Sequence, residues 1–173
     1  QDKGFENLTI DLIFGSPTSN LKKWEQNLDT FFSLNIPHLS AYSLTVEEGT
    51  RLAHDIRKGK VKRLEDNLAL AQYNQLQNAI KDNGFEQYEV SNYCKNESYA
   101  KHNSAYWKST PYLGLGPSAH SFNGNSRQWN IKNNALYIKN LYSKLPYFEL
   151  EELSEENRYH ELLITALRTK WGI

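Results

Sequence analysis

The stretch LTIDLIFG, Leu8 to Gly15, decides the fold. It is a short, apolar, β-branched run, the pattern of a buried parallel strand. SPTSN (16–20) supplies a turn after it, with Asn20 placed to cap a helix. LKKWEQNLDTFFSL (21–34) then sets Leu21, Trp24, Leu28, Phe31 and Phe32 at helical spacing, giving one apolar stripe. Pro37 breaks that helix, and IPHLSAYSLTV (36–46) reads as a second strand. Strand, helix and strand make a βαβ unit, which is right-handed and parallel.

Downstream, EEGTRLAHDIRKGKVKRLED (47–66) reads as a charged loop, its RKGKVKR cluster (57–63) a solvated stretch. A helix follows from about Asn67 to Asn83, with Ala69, Tyr73, Leu76 and Ile80 on its buried face and Gly84 just past its end. FEQYEVSNY (85–93) alternates enough for a third strand. Cys94 to Asn130 reads as irregular. From Asn134 the pattern is mostly helical, over NALYIKNLYSK and SEENRYHELLITALRTK, with Ser154 capping the second. The expected division is an α/β part over 1–93 and an irregular-then-helical part over 94–173. With two or three strands visible, and about 250 residues needed for a full (β/α)8 barrel, the first part can be only the last portion of a barrel. Such a portion exposes a strand edge.

Composition narrows the function classes. The 20 basic and 20 acidic residues balance, which argues against nucleic acid or an anionic membrane surface as partner. No apolar run approaches the roughly 18 residues of a membrane span, and no signal-peptide pattern opens the chain. The single cysteine, Cys94, fits a reducing, cytoplasmic setting. There is no methionine, and the chain opens on Gln1 and stops soon after Gly172, so it reads as a piece of a larger protein.

Several residues have chemical potential. Asp11 lies inside an apolar strand, where a carboxylate is costly unless paired. It is either a structural acid bonded to a neighbouring loop or a ligand contact near the C-terminal ends of the strands, where α/β sites form. Glu47 and Glu48 follow the second strand and rank lower, as solvated loop residues. YLGLGPSAHS (112–121) lacks dinucleotide-fingerprint spacing; its Gly114 and Gly116 suit a tight turn with close backbone approach. The five histidines show no zinc-like spacing, and nothing around Cys94 resembles a nucleophile motif, so the thiol reads as inert. HNSAYW (102–107) places His102 one helical turn from Tyr106, and Asn103 one turn from Trp107. On its residues alone it favours aromatic packing, with a flat-ligand site as the other reading.

Taken in order, DLIFGSPTSNLKKWEQNL, HLSAYSLTVEEGTRLA with its E-x-G-T loop, GFEQYEVSNYC, HNSAYW, YLGLGPSAHSF, RQWN and SEENRYHELLITALR resemble the radical S-adenosylmethionine (SAM) proteins of the oxygen-independent coproporphyrinogen III oxidase group. The resemblance covers nearly the whole chain. The S-x-Y-x-L-x-x-E strand at 40–47 and HN-x-x-Y-W at 102–107 are similar to the heme-chaperone (HemW) branch of that group rather than to its oxidases.

The resemblance implies an α/β fold: the C-terminal part of a partial (β/α)6 TIM-like barrel (1–93), followed by a mixed, mostly helical accessory domain (94–173). It implies SAM and a [4Fe–4S] cluster in the full-length parent, with Asp11 contacting SAM. Thr45 and His120 align with positions that contact a second SAM in the oxidases, but differ from them in residue type. It implies heme or porphyrin as ligand, with His102 the axial ligand of the heme iron and Asn103, Tyr106 and Trp107 contacting the macrocycle. Imidazole binds heme iron and aromatic rings pack on porphyrin faces. Partners would be heme-receiving client proteins, reached at membranes only through those clients, and a second copy in a homodimer. The alternative is oxidative decarboxylation of coproporphyrinogen III. The chain departs from the family at Ser16, where Leu is usual before Pro17, and at Thr18–Ser19 in place of Gly–Gln. The family's C-x3-C-x2-C motif is absent, so these residues alone hold no cluster and perform no radical chemistry.

Overall fold

The computed structural model describes residues 2–63 and 65–173. The chain divides into two compact units, Gln1–Ala100 and Lys101–Ile173.

In the first unit, β1 (Thr9–Phe14), α1 (Leu21–Ser33) and β2 (His38–Ser43) form the expected strand–helix–strand unit. The two strands pair in parallel, from Thr9 opposite His38 to Phe14 opposite Ser43. Asn20 caps α1 as its residue type predicts, accepting a 2.9 Å hydrogen bond from the Lys23 N–H. Of the expected stripe, Trp24, Leu28 and Phe31 are buried, Phe32 packs at the margin and Leu21 is exposed. The long helix is α3 (Asp66–Asp82), close to its expected span, with Gly84 in the left-handed region after it (φ 70°). Leu76 and Ile80 of α3 meet Phe14, Leu39 and Ala41 of the sheet to complete one core.

A polar residue ties this core together. Gln72 of α3 is fully buried; it accepts from the Gly15 N–H at 2.9 Å and donates to Ser19 Oγ at 2.9 Å. Its own carbonyl accepts from Trp24 Nε1 at 2.8 Å. Burial is tolerated because each polar atom has a partner.

Four expectations are corrected. The segment 85–93 is two strands, β3 (Glu86–Glu89) and β4 (Asn92–Cys94), joined by a tight turn. The sheet runs β1-β2-β4-β3, and β4 lies antiparallel to β2, so the parallel pattern stops at β2. Within the charged stretch 47–66 a short helix, α2 (Arg51–Arg57), forms because Thr50 caps it on the Ala53 N–H and Arg51 pairs with Asp55 one turn on. Leu64 of that stretch lies outside the described residues. The strand containing Asp11 is covered on one face only. Leu12 and Phe14 turn to the core, whereas Thr9, Asp11 and Ile13 are exposed on the other face, so Asp11 is no buried carboxylate.

A further correction concerns the second unit. The span 94–130, read as irregular, contains α4 (Lys101–Trp107), β5 (His120–Phe122) and β6 (Ser126–Asn130). The span after 134, read as helical, holds α5 (Asn134–Tyr142), β7 (Phe148–Glu152) and α6 (Glu155–Ala166). The order β5-β6-β7 makes an antiparallel sheet, in which Ser126 to Asn130 face Glu152 to Phe148. FELEE hid as a strand because its residues are exposed, leaving no buried alternation to read. Gly114 does bring backbone close, since a Cβ there would collide with the His120 carbonyl. Among the described residues no helix is long and apolar enough to cross a membrane.

Candidate functional site

The second unit carries the strongest candidate. HNSAYW is helical: α4 ends in a left-handed residue, Ser109 (φ 51°), whose N–H donates to Tyr106 O at 3.1 Å. The Thr110 N–H donates to Ala105 O at 2.9 Å, so two terminal carbonyls are satisfied and the helix stops cleanly. The chain then returns past Pro111 to Tyr112, which bonds the backbone of Phe122 in both directions at 2.8 and 2.9 Å. That return lays β5 beside α4 and builds an aromatic row.

Along the row, the His102 and Tyr106 rings meet edge-on at 5.0 Å, as helical i, i+4 spacing requires. Tyr106 and Tyr112 meet edge-on at 4.9 Å, and Tyr112 and Phe122 are 6.2 Å apart. The Tyr106 hydroxyl and His102 Nε2 share a 3.3 Å hydrogen bond. Tyr106, Trp107, Tyr112 and Phe122 line a cavity of about 310 Å3, together with Arg127 and residues of α6. This is the lower end of the size range of ligand pockets, roughly 300–1,000 Å3.

Arg127 is held in that wall by Glu161, through two hydrogen bonds of 2.8 and 3.0 Å. The carboxylate holds the guanidinium's pKa above its ordinary value, and the Phe122 ring lies 5.8 Å beneath it. Arg168 sits 5.3 Å over the Trp107 ring. On the inner stripe of α4, Asn103 Nδ2, Ser104 Oγ and Trp107 Nε1 are buried without a hydrogen-bond partner. His102, Tyr106 and Trp107 are thus gathered on one short helix, with Asn103 turned inward. His120 is not among the cavity's lining residues; it is exposed on β5, 6.3 Å from the Trp129 ring.

The first unit carries a second arrangement. Past the C-terminal ends of β1 and β2 opens a cleft of about 900 Å3, lined by Gly15, Thr45, Val46, Arg57 and Arg63 among others. Its position is where α/β sheets take ligands, and its two guanidinium groups, with Glu48 and Asp66, suit a charged one. Thr45 is on its wall. Asp11 is not; it lies on the exposed face of β1, opposite Ser40 and well before Gly15.

Nothing local in the sequence marks His38. It is buried on β2, with Nδ1 and Thr9 Oγ1 at 2.7 Å and Nε2 and Tyr88 Oη at 2.7 Å. Tyr88 Oη also accepts from the Ala100 N–H at 3.2 Å. Burial lowers the His38 pKa, with the nearby Asp11 charge opposing it. Only the strand register reveals the pairing with Thr9, which lies 29 residues away.

A [4Fe–4S] cluster does not fit these residues. The one cysteine, Cys94, is fully buried on β4, its sulfur 4.0 Å from Glu86 Oε1, whereas the cluster needs several thiolates.

No family model matches the chain. Among curated proteins it is 31% identical to the heme chaperone HemW of Mycobacterium tuberculosis over 172 residues, covering 99% of this chain and 44% of that protein. It is 33% identical to the heme chaperone HemW of Bacillus subtilis, covering 98% and 45%. To the mitochondrial radical S-adenosyl methionine domain-containing protein 1 of Mus musculus it is 37% identical, covering 96% and 40%. Among solved structures, the coproporphyrinogen III oxidase HemN of Escherichia coli, a radical SAM enzyme, superposes with a TM-score of 0.79 at 18% identity, over 97% of this chain and 42% of that one. That likeness is one of fold. By sequence, the homologues of this chain are HemW heme chaperones, and it matches a HemW-like segment spanning less than half the length of those relatives.

Proposed function

We propose that this chain is the heme-binding part of a heme carrier, and that α4 with its aromatic cavity is where heme is held for transfer to client proteins. The observation that carries the reading is the helix itself. It presents an imidazole and two large aromatic rings within six residues, backed by Tyr112 and Phe122. Aromatic surfaces suit a flat, apolar macrocycle, and the adjacent imidazole and phenol suit its iron. The names of the relatives point the same way. The oxidase reading rests on a fold shared at 18% identity, and fold alone does not assign chemistry.

Within the same proposal, the first unit is the closing portion of a partial (β/α)6 barrel, with β1, α1 and β2 one of its repeats. SAM would be contacted by Asp11, while Thr45 and His120 stand at positions that contact a second SAM in the oxidases. The parent would be cytoplasmic and supply the cluster thiolates from other residues. A homodimer and client proteins complete the picture.

The test is a hemin titration of the chain, followed by the Soret band. Wild type should bind at a single site. His102→Ala should weaken that binding, while His54→Ala, an exposed histidine on α2, should leave it unchanged. Equal titrations for all three proteins would refute the reading.

A further inference from the structure

Resting on the heme reading above, we infer that Arg127 recognises a carboxylate of the ligand, taking a heme propionate in the place that the Glu161 carboxylate now holds. The porphyrin enters the cavity propionate edge first.

Three observations carry this. First, the cavity is divided in its chemistry. The rings of Tyr106, Trp107, Tyr112 and Phe122 make its apolar part, while β6 and α6 bring Arg127 and Glu161. Among the described lining residues Arg127 is the one cation. Ligand pockets are mostly apolar, with a few placed polar groups that fix orientation. A volume of about 310 Å3 suits one edge of a macrocycle rather than the whole of it. Heme has the matching division, an apolar ring with two carboxylates along one edge.

Second, the guanidinium already holds a carboxylate. Arg127 Nη1 and Nη2 donate to the two oxygens of Glu161 at 2.8 and 3.0 Å, the paired fork that a planar carboxylate fits. Phe122 lies opposite Arg127 in the β5–β6 register, with its ring 5.8 Å from the guanidinium, so the fork is backed by a fixed surface. A propionate presents the same two oxygens, and Glu161 shows the pose.

Third, that place can be vacated. The Arg127 and Glu161 side chains are 32% and 33% exposed, so Glu161 can turn to water when another carboxylate arrives. The exchange trades one carboxylate for another on the same donors, and the guanidinium loses no hydrogen bond. An ion pair this solvated is weak, which keeps the cost of opening it low. Two further charges are nearby and opposite in sign. Glu151 is exposed on β7, in register with Arg127, and Arg168 is exposed over the Trp107 ring at 5.3 Å. Neither lines the cavity.

The experiment titrates the chain with hemin and with hemin dimethyl ester, in which both carboxylates are capped, and follows the Soret band. Iron and ring are common to the two probes, so the ratio of their affinities isolates the carboxylates. Wild type should favour hemin. Arg127→Gln should weaken hemin binding about tenfold, the scale of a hydrogen bond to a charged group, and change the ester's affinity far less. Glu161→Gln removes the competing carboxylate and should raise the ratio about two- to fivefold. Arg158→Gln, an equal loss of charge on α6 outside the cavity, should keep the wild-type ratio. If Arg127→Gln loses both probes, Arg127→Lys decides: it keeps the charge without the fork, and should bind the ester like wild type but hemin more weakly. A wild-type ratio in Arg127→Lys then overturns the inference. So does equal binding of the two probes by wild type, or a wild-type ratio in Arg127→Gln. An equal fall in Arg158→Gln overturns it too, since the effect is then one of net charge. A lower ratio in Glu161→Gln likewise overturns it, because Glu161 is then no stand-in for the ligand. The heme-carrier reading survives each of these results. Wild type that binds neither probe overturns that reading, and this inference with it.

Discussion

The two units are built on opposite terms. In the first, Trp24, Leu28 and Phe31 of α1, Leu76 and Ile80 of α3, and Leu39 and Ala41 of β2 close on one another with almost no exposure. In the second, Leu153 and Ala166 are the buried apolar residues among those described, α5 buries none, and β7 is exposed along its whole length. Its rings gather instead on the cavity beside α4. Apolar burial is therefore concentrated in the first unit and exposed aromatic surface in the second, and a thinly buried unit is the one expected to open more easily.

The most damaging change to this comparison should come from Trp24. It is fully buried and donates its indole N–H to the Gln72 carbonyl, so removing it opens a cavity and deletes a buried hydrogen bond. Trp24→Ala should cost about 3–5 kcal/mol, read as a fall in the urea midpoint. Far-UV dichroism should show first-unit structure melting earlier. A loss below about 1 kcal/mol would mean that the first unit is not held by this core, and the comparison would fail.

How much of this could be read in advance divides along the same line. LTIDLIFG and the α1 stripe were legible because burial imposes a period on the sequence: Trp24, Leu28 and Phe31 repeat at helical spacing since one helix face is covered. The burial expected of Asp11 fails for a related reason. Leu12 and Phe14 face the core, but Ile13 is apolar and exposed, and that continuous apolar run mimics a strand covered on both faces. Where burial is thin the period vanishes, so β7 falls inside a span that reads as mostly helical, and α4 has no capping signature to mark its start. The candidate site was half legible. HNSAYW is contiguous, and its four expected residues do lie on one helix. Tyr112, Phe122, Arg127 and Glu161 reach the same cavity from later segments, and nothing local in the sequence announces that meeting.

A smaller effect should come from pH, again in the first unit. His38 is kept neutral by burial, bonded to Thr9 and Tyr88, so its folded-state pKa lies below the ordinary value. Between the folded and unfolded values the unfolded chain binds more protons, and stability rises with pH there. The contribution is complete above about pH 6.5, the unfolded value, and is lost as pH falls below it. Urea unfolding from pH 7.5 down to 5.5 should show this loss, and His38→Gln should flatten it. An unchanged slope in His38→Gln would remove His38 from the account of the first unit.

The smallest effect should come from the second unit's ion pair. Arg127 and Glu161 are joined by two hydrogen bonds, the geometry that favours an arginine–carboxylate pair. Each side chain is about one-third exposed, at 32% and 33%, so water screens the attraction and ordering two long side chains offsets part of it. Glu161→Gln keeps one acceptor for Arg127 while removing the charge, and should cost less than about 1 kcal/mol. Because the pair is partly solvated, the difference from wild type should shrink further as salt is raised from about 0.1 M to 1 M. The readout is the urea midpoint of both proteins at the two salt concentrations. A loss above about 3 kcal/mol, insensitive to salt, would mean that Arg127 and Glu161 act as a buried pair. The second unit would then be held by its polar wall where the first is held by its core, and the contrast between them would lie in the kind of interaction rather than in its strength.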